Sequence, residues 1–310
     1  MTITKQSRST LTACELDIGD ELRFVLSDGS ERSVVVRNTR VKLHETDLEN
    51  ADTFPLQPVR HAHTVVRMHC MLTIDGYDLE LVRWVGNQRS FYEPWQFMGL
   101  RIWIDAIDEL FTVLTETHGP CRPRKAVRLA VQESSRRICP PLLHPWCPLP
   151  EDCIRIEDAY DSSNCWLGPY FGAEAHGGLD INHPAGTPIW APIRCDEQGL
   201  FDAVSAGAEN NRWRGVRTWD DGSTWILQVH HLIRCEPPSG APVEAGGFIG
   251  EGAGVAVGSH EHSHFAFAVV EPGDPEEELI RLDPWILFWQ MYRDRELTTA
   301  YRREDQARRG

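Results

Sequence analysis

Two short runs hold the residue types that bind and use a metal ion. His260-Glu261-His262-Ser263-His264 packs three imidazoles and a carboxylate into five positions, and His176-Gly177-Gly178-Leu179-Asp180 lies upstream of it. Imidazoles and a carboxylate at such spacings supply what a tetrahedral zinc site with an open water position requires. The first run also reads as H-E-x-x-H, in which His260 and His264 sit one helical turn apart and Glu261 acts on the bound water. The local backbone decides between the two readings.

That backbone reads as a strand. Gly252, Gly254 and Gly258 precede the run, and each costs about 1 kcal/mol inside a helix. Phe265 to Val270 follows, with aromatic and β-branched content that suits a short strand. On a strand His260, His262 and His264 share one face while Glu261 and Ser263 point away. Glu261 then cannot be the general base. His262 and His264 stand about 7 Å apart along the chain, close enough for one to bind a metal while the other moves protons. In the upstream run the two glycines let the backbone turn so that His176 and Asp180 converge. With His264 they make two imidazoles and one carboxylate, the ligand count of a catalytic zinc. Between the runs, Trp225, Leu227, Val229 and His231 alternate onto one inward face, and His230 follows Gln228 outward.

The elements that must position these residues are mostly strands. Glu21 to Leu26, a turn at Ser27-Asp28-Gly29-Ser30, and Ser33 to Arg37 form a hairpin. Thr64 to Ile74, Leu79 to Val85 and Leu100 to Ile104 are further strand-like runs, whereas Asp105 to Thr115 fits strand or helix equally. These predict a small β-sandwich within residues 1–138. His61, His63 and His69, with Cys70 beside them, would share a strand face there, without an acidic or glycine-rich frame. Pro140, Pro141, Pro145, Pro148 and Pro150 make 139–152 extended and free of regular structure, which reads as a linker. Residues 153–310 then form a second, antiparallel β domain, with strands at Pro188 to Ile193, Thr224 to Leu232 and Phe265 to Val270. Asp283-Pro284 opens a helix at its end.

Composition narrows the function classes. The chain has 310 residues, is 41% hydrophobic and carries a formal charge of -15. That charge argues against a nucleic-acid partner, which needs basic patches, and against adsorption to anionic membranes. No stretch approaches the ~18 apolar residues of a membrane span. Met1 to Thr10 is polar and has no apolar segment of a secretion signal. Nine cysteines without a C-x-x-C pair read as scattered thiols, although Cys139, Cys147, Cys153 and Cys165 cluster. The oligomeric state is not written in the sequence.

The metal motifs, taken in order with the segments between them, resemble the lysostaphin-type (LytM-domain) zinc endopeptidases over roughly residues 171–271. The resemblance runs through His176 to Ile181, Gly186-Thr187-Pro188-Ile189-Trp190-Ala191, His231-Leu232, Gly247-Phe248-Ile249-Gly250, and His262-Ser263-His264-Phe265. It implies a mainly β fold with a groove across a small antiparallel core, and one zinc ion per chain held by His176, Asp180 and His264. It implies His231 and His262 as catalytic histidines that do not bind the metal. Bacterial peptidoglycan is the implied substrate, and the cell envelope or extracellular space the implied location. The chain departs from the usual pattern at Ser263, at Cys195 and at the doubled His230-His231, which leaves both histidines as candidates for one role. Two alternatives stand beside this expectation: a catalytically silent LytM-like binding module, and the helical H-E-x-x-H protease.

Overall fold

The computed structural model describes residues 1–46, 64–116, 119–159, 164–170, 174–201, 210–235, 238–257, 260–275 and 278–296. The chain is mainly β, with one helix over its last described residues, 285–296.

Strands are numbered in chain order. A five-stranded sheet is ordered β1 (Thr2–Gln6), β3 (Glu21–Val25), β4 (Glu31–Thr46), β5 (Thr64–Ile74) and β6 (Tyr77–Val85). A four-stranded sheet is ordered β2 (Thr12–Leu16), β9 (Val127–Glu133), β8 (Leu100–Ile107) and β7 (Trp95–Phe97). Phe24, Val36, Met68 and Leu72 of the first sheet share a buried core with Leu16, Ile104 and Leu129 of the second. The expected sandwich is therefore present, with β5 over the predicted residues. The ambiguous 105–115 stretch divides into the end of β8 and a 3₁₀ turn at Asp108–Thr112. His69 of the second histidine group is buried, and its Nδ1 lies 2.8 Å from Glu80 Oε1; His61 and His63 fall outside the described residues.

The other half holds β10 (Pro169–Tyr170), β11 (Glu174–Ala175), β12 (Leu179–Asn182), β13 (Thr187–Trp190), β14 (Glu197–Leu200), β15 (Asn211–Thr218) and β16 (Thr224–Leu232). They are followed by β17 (Arg234–Cys235), β18 (Phe248–Gly252), β19 (Val255–Val257), β20 (His260–Val270) and β21 (Ile280–Leu282). A seven-stranded sheet is built around β20, and a small sheet of β13, β18 and β17 lies apart from it. The overlapping registers put β12 and β21 on one edge of β20, and β19 and β16 on the other.

One face of this sheet is apolar and supplies Trp225, Leu227, Val229, Phe265, Phe267 and Val269 to a large buried core. The helix fills the space behind it. Its Phe288 packs against Phe265 with ring centroids 5.3 Å apart, and its Trp289 meets Trp103 of β8 at 5.5 Å. The core thus continues from the seven-stranded sheet to the outer face of the four-stranded sheet. Asp283 caps the helix as expected, its Oδ1 accepting the Trp285 N–H at 2.8 Å.

The proline-rich segment has neither helix nor strand, as its fixed φ angles require. It is nevertheless packed in place: Cys139, Leu143, Trp146 and Cys147 are buried in that same core. Polar ties also cross the molecule. Glu271, just beyond β20, accepts two bonds from Arg8 at 2.8 and 2.6 Å and one from the Ala13 N–H at 2.8 Å.

Candidate metal centre

The polar face of the seven-stranded sheet carries the site, and strand registry assembles it. Asp180 of β12 lies directly opposite His264 of β20, and His230 of β16 lies opposite His264 on the other side. Cross-strand partners project to the same face. A strand, not a helix, thus carries 260–264, and this overturns the H-E-x-x-H reading. Glu261 is exposed on the far side, where its Oε2 accepts the Ala185 N–H at 2.8 Å.

His176, Asp180 and His264 converge. His264 Nδ1 lies 2.8 Å from Asp180 Oδ1 and 3.2 Å from His176 Nε2, and His176 Nε2 lies 3.3 Å from Asp180 Oδ2. One ligand atom from each residue falls within 4.8 Å of the others. Metal bonds of about 2.0–2.2 Å to such atoms are compatible with that spread. The donor set, two imidazole nitrogens and one carboxylate oxygen, fits a divalent ion. His176 is oriented from behind, its Nδ1 facing the Cys165 carbonyl at 3.3 Å, the usual way a protein fixes a ligand imidazole. Gly178 belongs to this construction: a Cβ there would come within 2.5 Å of the His264 ring, so only glycine lets β12 pass so near.

Burial and charge set the protonation of these groups. For His176 burial weighs most, against the charged form, but the Asp180 carboxylate offsets it and the pKa is raised. Burial also opposes the charged form of Asp180, yet His176 and His264 hold its carboxyl well below the usual carboxylate range. At His264 burial prevails over the hydrogen bond to Asp180 and lowers the pKa.

The two other histidines of the sequence reading stand beside this trio. His262 is buried, with Nε2 3.7 Å from Asp180 Oδ2 and its ring 4.8 Å from that of His231. Strand alternation predicts His231 inward with the core row and His230 outward, and here the structure corrects the expectation. His231 has φ of 63°, in the left-handed region, at the end of β16. That break in the pleat turns its ring toward His262 rather than into the core. His231 Nδ1 lies 2.7 Å from Asn210 Oδ1. Burial, with the neighbouring His264, brings its pKa down to about 3. His230 stacks on the His264 ring at 4.7 Å and an interplanar angle of 28°. Both members of the doubled pair therefore border the cluster.

Sequence reasoning missed two neighbours. Asn210 lies in an unremarkable polar stretch, and no spacing rule marks it. His183, next to Asn182 whose partner on β20 is His262, has both ring nitrogens buried without a hydrogen-bond partner among the described residues. Burial, with His262 adding to it, lowers the His183 pKa to about 4. Its place three residues after Asp180 was a signal available in the sequence.

No family model matches the sequence, and no curated protein matches it. Among solved structures the chain is similar to the antimicrobial peptidase lysostaphin from Staphylococcus simulans, with 22% identity, a TM-score of 0.29, and coverage of 37% of this chain and 45% of that one. The chain thus spans less than half the length of lysostaphin. A variant catalytic domain of the prophage-encoded protein EnpA from Enterococcus faecalis matches at 20% identity and a TM-score of 0.27, over 36% of this chain and 78% of that one. A zinc-containing peptidase from Vibrio cholerae matches at 11% identity and a TM-score of 0.31, over 84% and 82% of the two chains. At such TM-scores the likeness carries no argument about chemistry, which rests on the geometry above. Lysostaphin gives its name to the endopeptidase group that residues 171–271 resemble.

Proposed function

We propose that the protein is a zinc metalloendopeptidase that hydrolyses peptide bonds, with peptidoglycan stem peptides or cross-bridges as substrate. The observation that carries this reading is the convergence of buried His176, just after β11, buried Asp180 of β12 and half-buried His264 of β20. Two imidazoles and a carboxylate leave a coordination position for water and substrate, as catalytic zinc sites do. Residues 153–310 carry the site in this proposal, residues 1–138 form its β-rich companion, and 139–152 join them.

A zinc ion held by His176, Asp180 and His264 would supply Lewis acidity to polarise a carbonyl and acidify water. The protein's own residues do the rest. His176 and His264 donate neutral nitrogens, and Asp180 provides the negative charge. His231, kept neutral by burial, donates its Nδ1–H to Asn210 Oδ1 and so presents the lone pair of Nε2 as a proton acceptor. His262 faces it across the site and can hydrogen-bond the oxygen that gains charge as the amide is attacked. Proton transfer of this kind contributes roughly 10²–10⁴-fold.

Digestion of purified peptidoglycan by the full chain, with mass spectrometry of the new termini, tests the proposal. New amine and carboxyl ends at one type of peptide bond are expected. The roles of His231 and His262 fail if His231→Ala and His262→Ala each retain full hydrolysis while still holding zinc.

A further inference from the structure

The chain passes from one core to the other at the first metal ligand. Cys165, Trp166, Leu167 and Ala175 are buried in the core of the N-terminal sandwich, together with residues of β3, β5, β8 and β9. Leu179 and Ile181 already belong to the core behind the seven-stranded sheet. His176 lies at the crossing. Asp180 and His264 are placed by the register of β12 on β20, but His176 precedes β12 and is held by other means.

Its hold is the turn at 165–168. The Gly168 N–H donates back to the Cys165 carbonyl at 2.9 Å and closes the turn. The Leu167 N–H donates to the His176 carbonyl at 2.9 Å, and the His176 N–H donates to the Gly168 carbonyl at 3.0 Å. Both backbone groups of His176 are thus bonded to the turn, and the Cys165 carbonyl also faces its Nδ1 at 3.3 Å. Leu167 has φ of 60°, a left-handed conformation that leucine keeps only where its surroundings impose it. Its side chain supplies the reason, being fully buried in the sandwich core. Two further ties come from the same half. Cys165 Sγ accepts the N–H of Gly86, just after β6, at 3.3 Å. The Ala175 N–H, immediately before the ligand, donates to the Thr115 carbonyl at 2.9 Å.

We infer that the N-terminal sandwich positions the first metal ligand: the packing of Leu167 in its core fixes the turn at 165–168, and the turn fixes the backbone and ring of His176 for binding. This rests on the metal reading above and goes beyond it, because it makes the N-terminal half a working part of the metal centre. Leu167 is a positioning residue that acts through His176. A ligand imidazole that loses its outer partner binds metal roughly 10–100-fold more weakly, and a turn that relaxes withdraws the Cys165 carbonyl in that way.

The test uses the full chain at a temperature where every variant is folded by circular dichroism. Zinc affinity is read by chelator competition, and the visible spectrum of the cobalt-substituted chain reports the ligand geometry. Leu167→Ala is compared with Leu72→Ala, which opens a cavity in the same core. Leu72 stands far from the turn, about 26 Å along β5 from Thr64, whose carbonyl borders Gly86. Leu167→Ala should lower zinc affinity about 10-fold and move the cobalt bands. Leu167→Met, which refills the core, should restore both. Leu72→Ala should leave both at parent values although it too lowers the unfolding temperature. Parent affinity in Leu167→Ala overturns the inference, as does an equal loss in Leu72→Ala. Should Leu167→Ala fail to fold, Cys165→Ala removes the tie to Gly86 with a smaller loss of volume; weaker zinc binding there supports the inference, and unchanged binding overturns it. A parent chain that binds no zinc removes the metal reading and this inference with it, whereas a zinc-binding parent indifferent to these changes removes the inference alone.

Discussion

Asp180 is the point on which the cluster turns, because its two oxygens face three imidazoles. Asp180→Asn keeps the shape and removes the charge. Zinc affinity should then fall by more than the roughly 10–100-fold seen when an outer-shell partner is lost, and a competition titration with a chromophoric chelator would measure it. Acid should act on the same site. Each imidazole ligand must be neutral to bind metal, and the raised pKa of His176 means that it takes up a proton at higher pH than an ordinary histidine. Zinc affinity should therefore decline as pH falls, beginning above the usual histidine range. Titrations between about pH 8 and 5 would show no such decline if His176 were not a ligand. Gly178→Ala forces a methyl group against the His264 ring, so it should weaken zinc binding although it touches no ligand atom covalently.

At the scale of elements, the Ser263 hydroxyl shows how strand and turn cooperate. It is fully buried and its Oγ accepts the Ala253 N–H at 2.8 Å, holding the turn between β18 and β19. Ser263→Ala leaves that amide unpaired, which costs about 1–3 kcal/mol. Thermal or urea unfolding should register the loss while zinc stoichiometry stays unchanged. The same residue marks the limit of what the sequence disclosed. Glycines before the run and the aromatic stretch after it were enough to identify β20 as a strand, and period-two alternation then placed His262 and His264 on one face. The ligand trio followed from that. The left-handed turn at His231 could not be read, since neither histidine nor leucine announces a positive φ. Nor could the short strands β1, β2 and β12 be found, because their pairing partners, rather than their own composition, hold them. Proline content correctly foretold the irregular course of 139–152, but the burial of Trp146 and Cys147 depends on a helix some 140 positions further on.

Across the whole molecule, buried charge links the halves. Arg83 of β6 donates to Asp283 Oδ2 at 2.6 Å, the Asp283 N–H donates to Asp105 Oδ1 at 2.7 Å, and Arg128 reaches Asp105 Oδ2 at 3.2 Å. Breaking such a pair from one side strands a buried charge, at about 3–5 kcal/mol. Asp283→Ala should lower the stability of the entire chain in a single transition, because the helix it caps belongs to the shared core. Two separate transitions, with only one of them shifted, would contradict this. Glu133 makes the stability of the fold depend on pH. Burial there is outweighed by hydrogen bonds from Ser7 and Ser27, which bring its pKa from 4.5 to about 2. A carboxyl with a depressed folded pKa stabilises the fold above its ordinary pKa, and loses that contribution as pH falls from there through the folded value. Glu133→Gln should thus flatten the stability profile between about pH 4.5 and 2 relative to the parent.

The metal content of the purified full chain tests the central claim most directly. Elemental analysis should find about one zinc per chain in the parent protein and almost none in His264→Ala, with folding intact in both by circular dichroism. A folded parent protein that holds no stoichiometric zinc when zinc is supplied, or a His264→Ala variant that retains it, would contradict the claim.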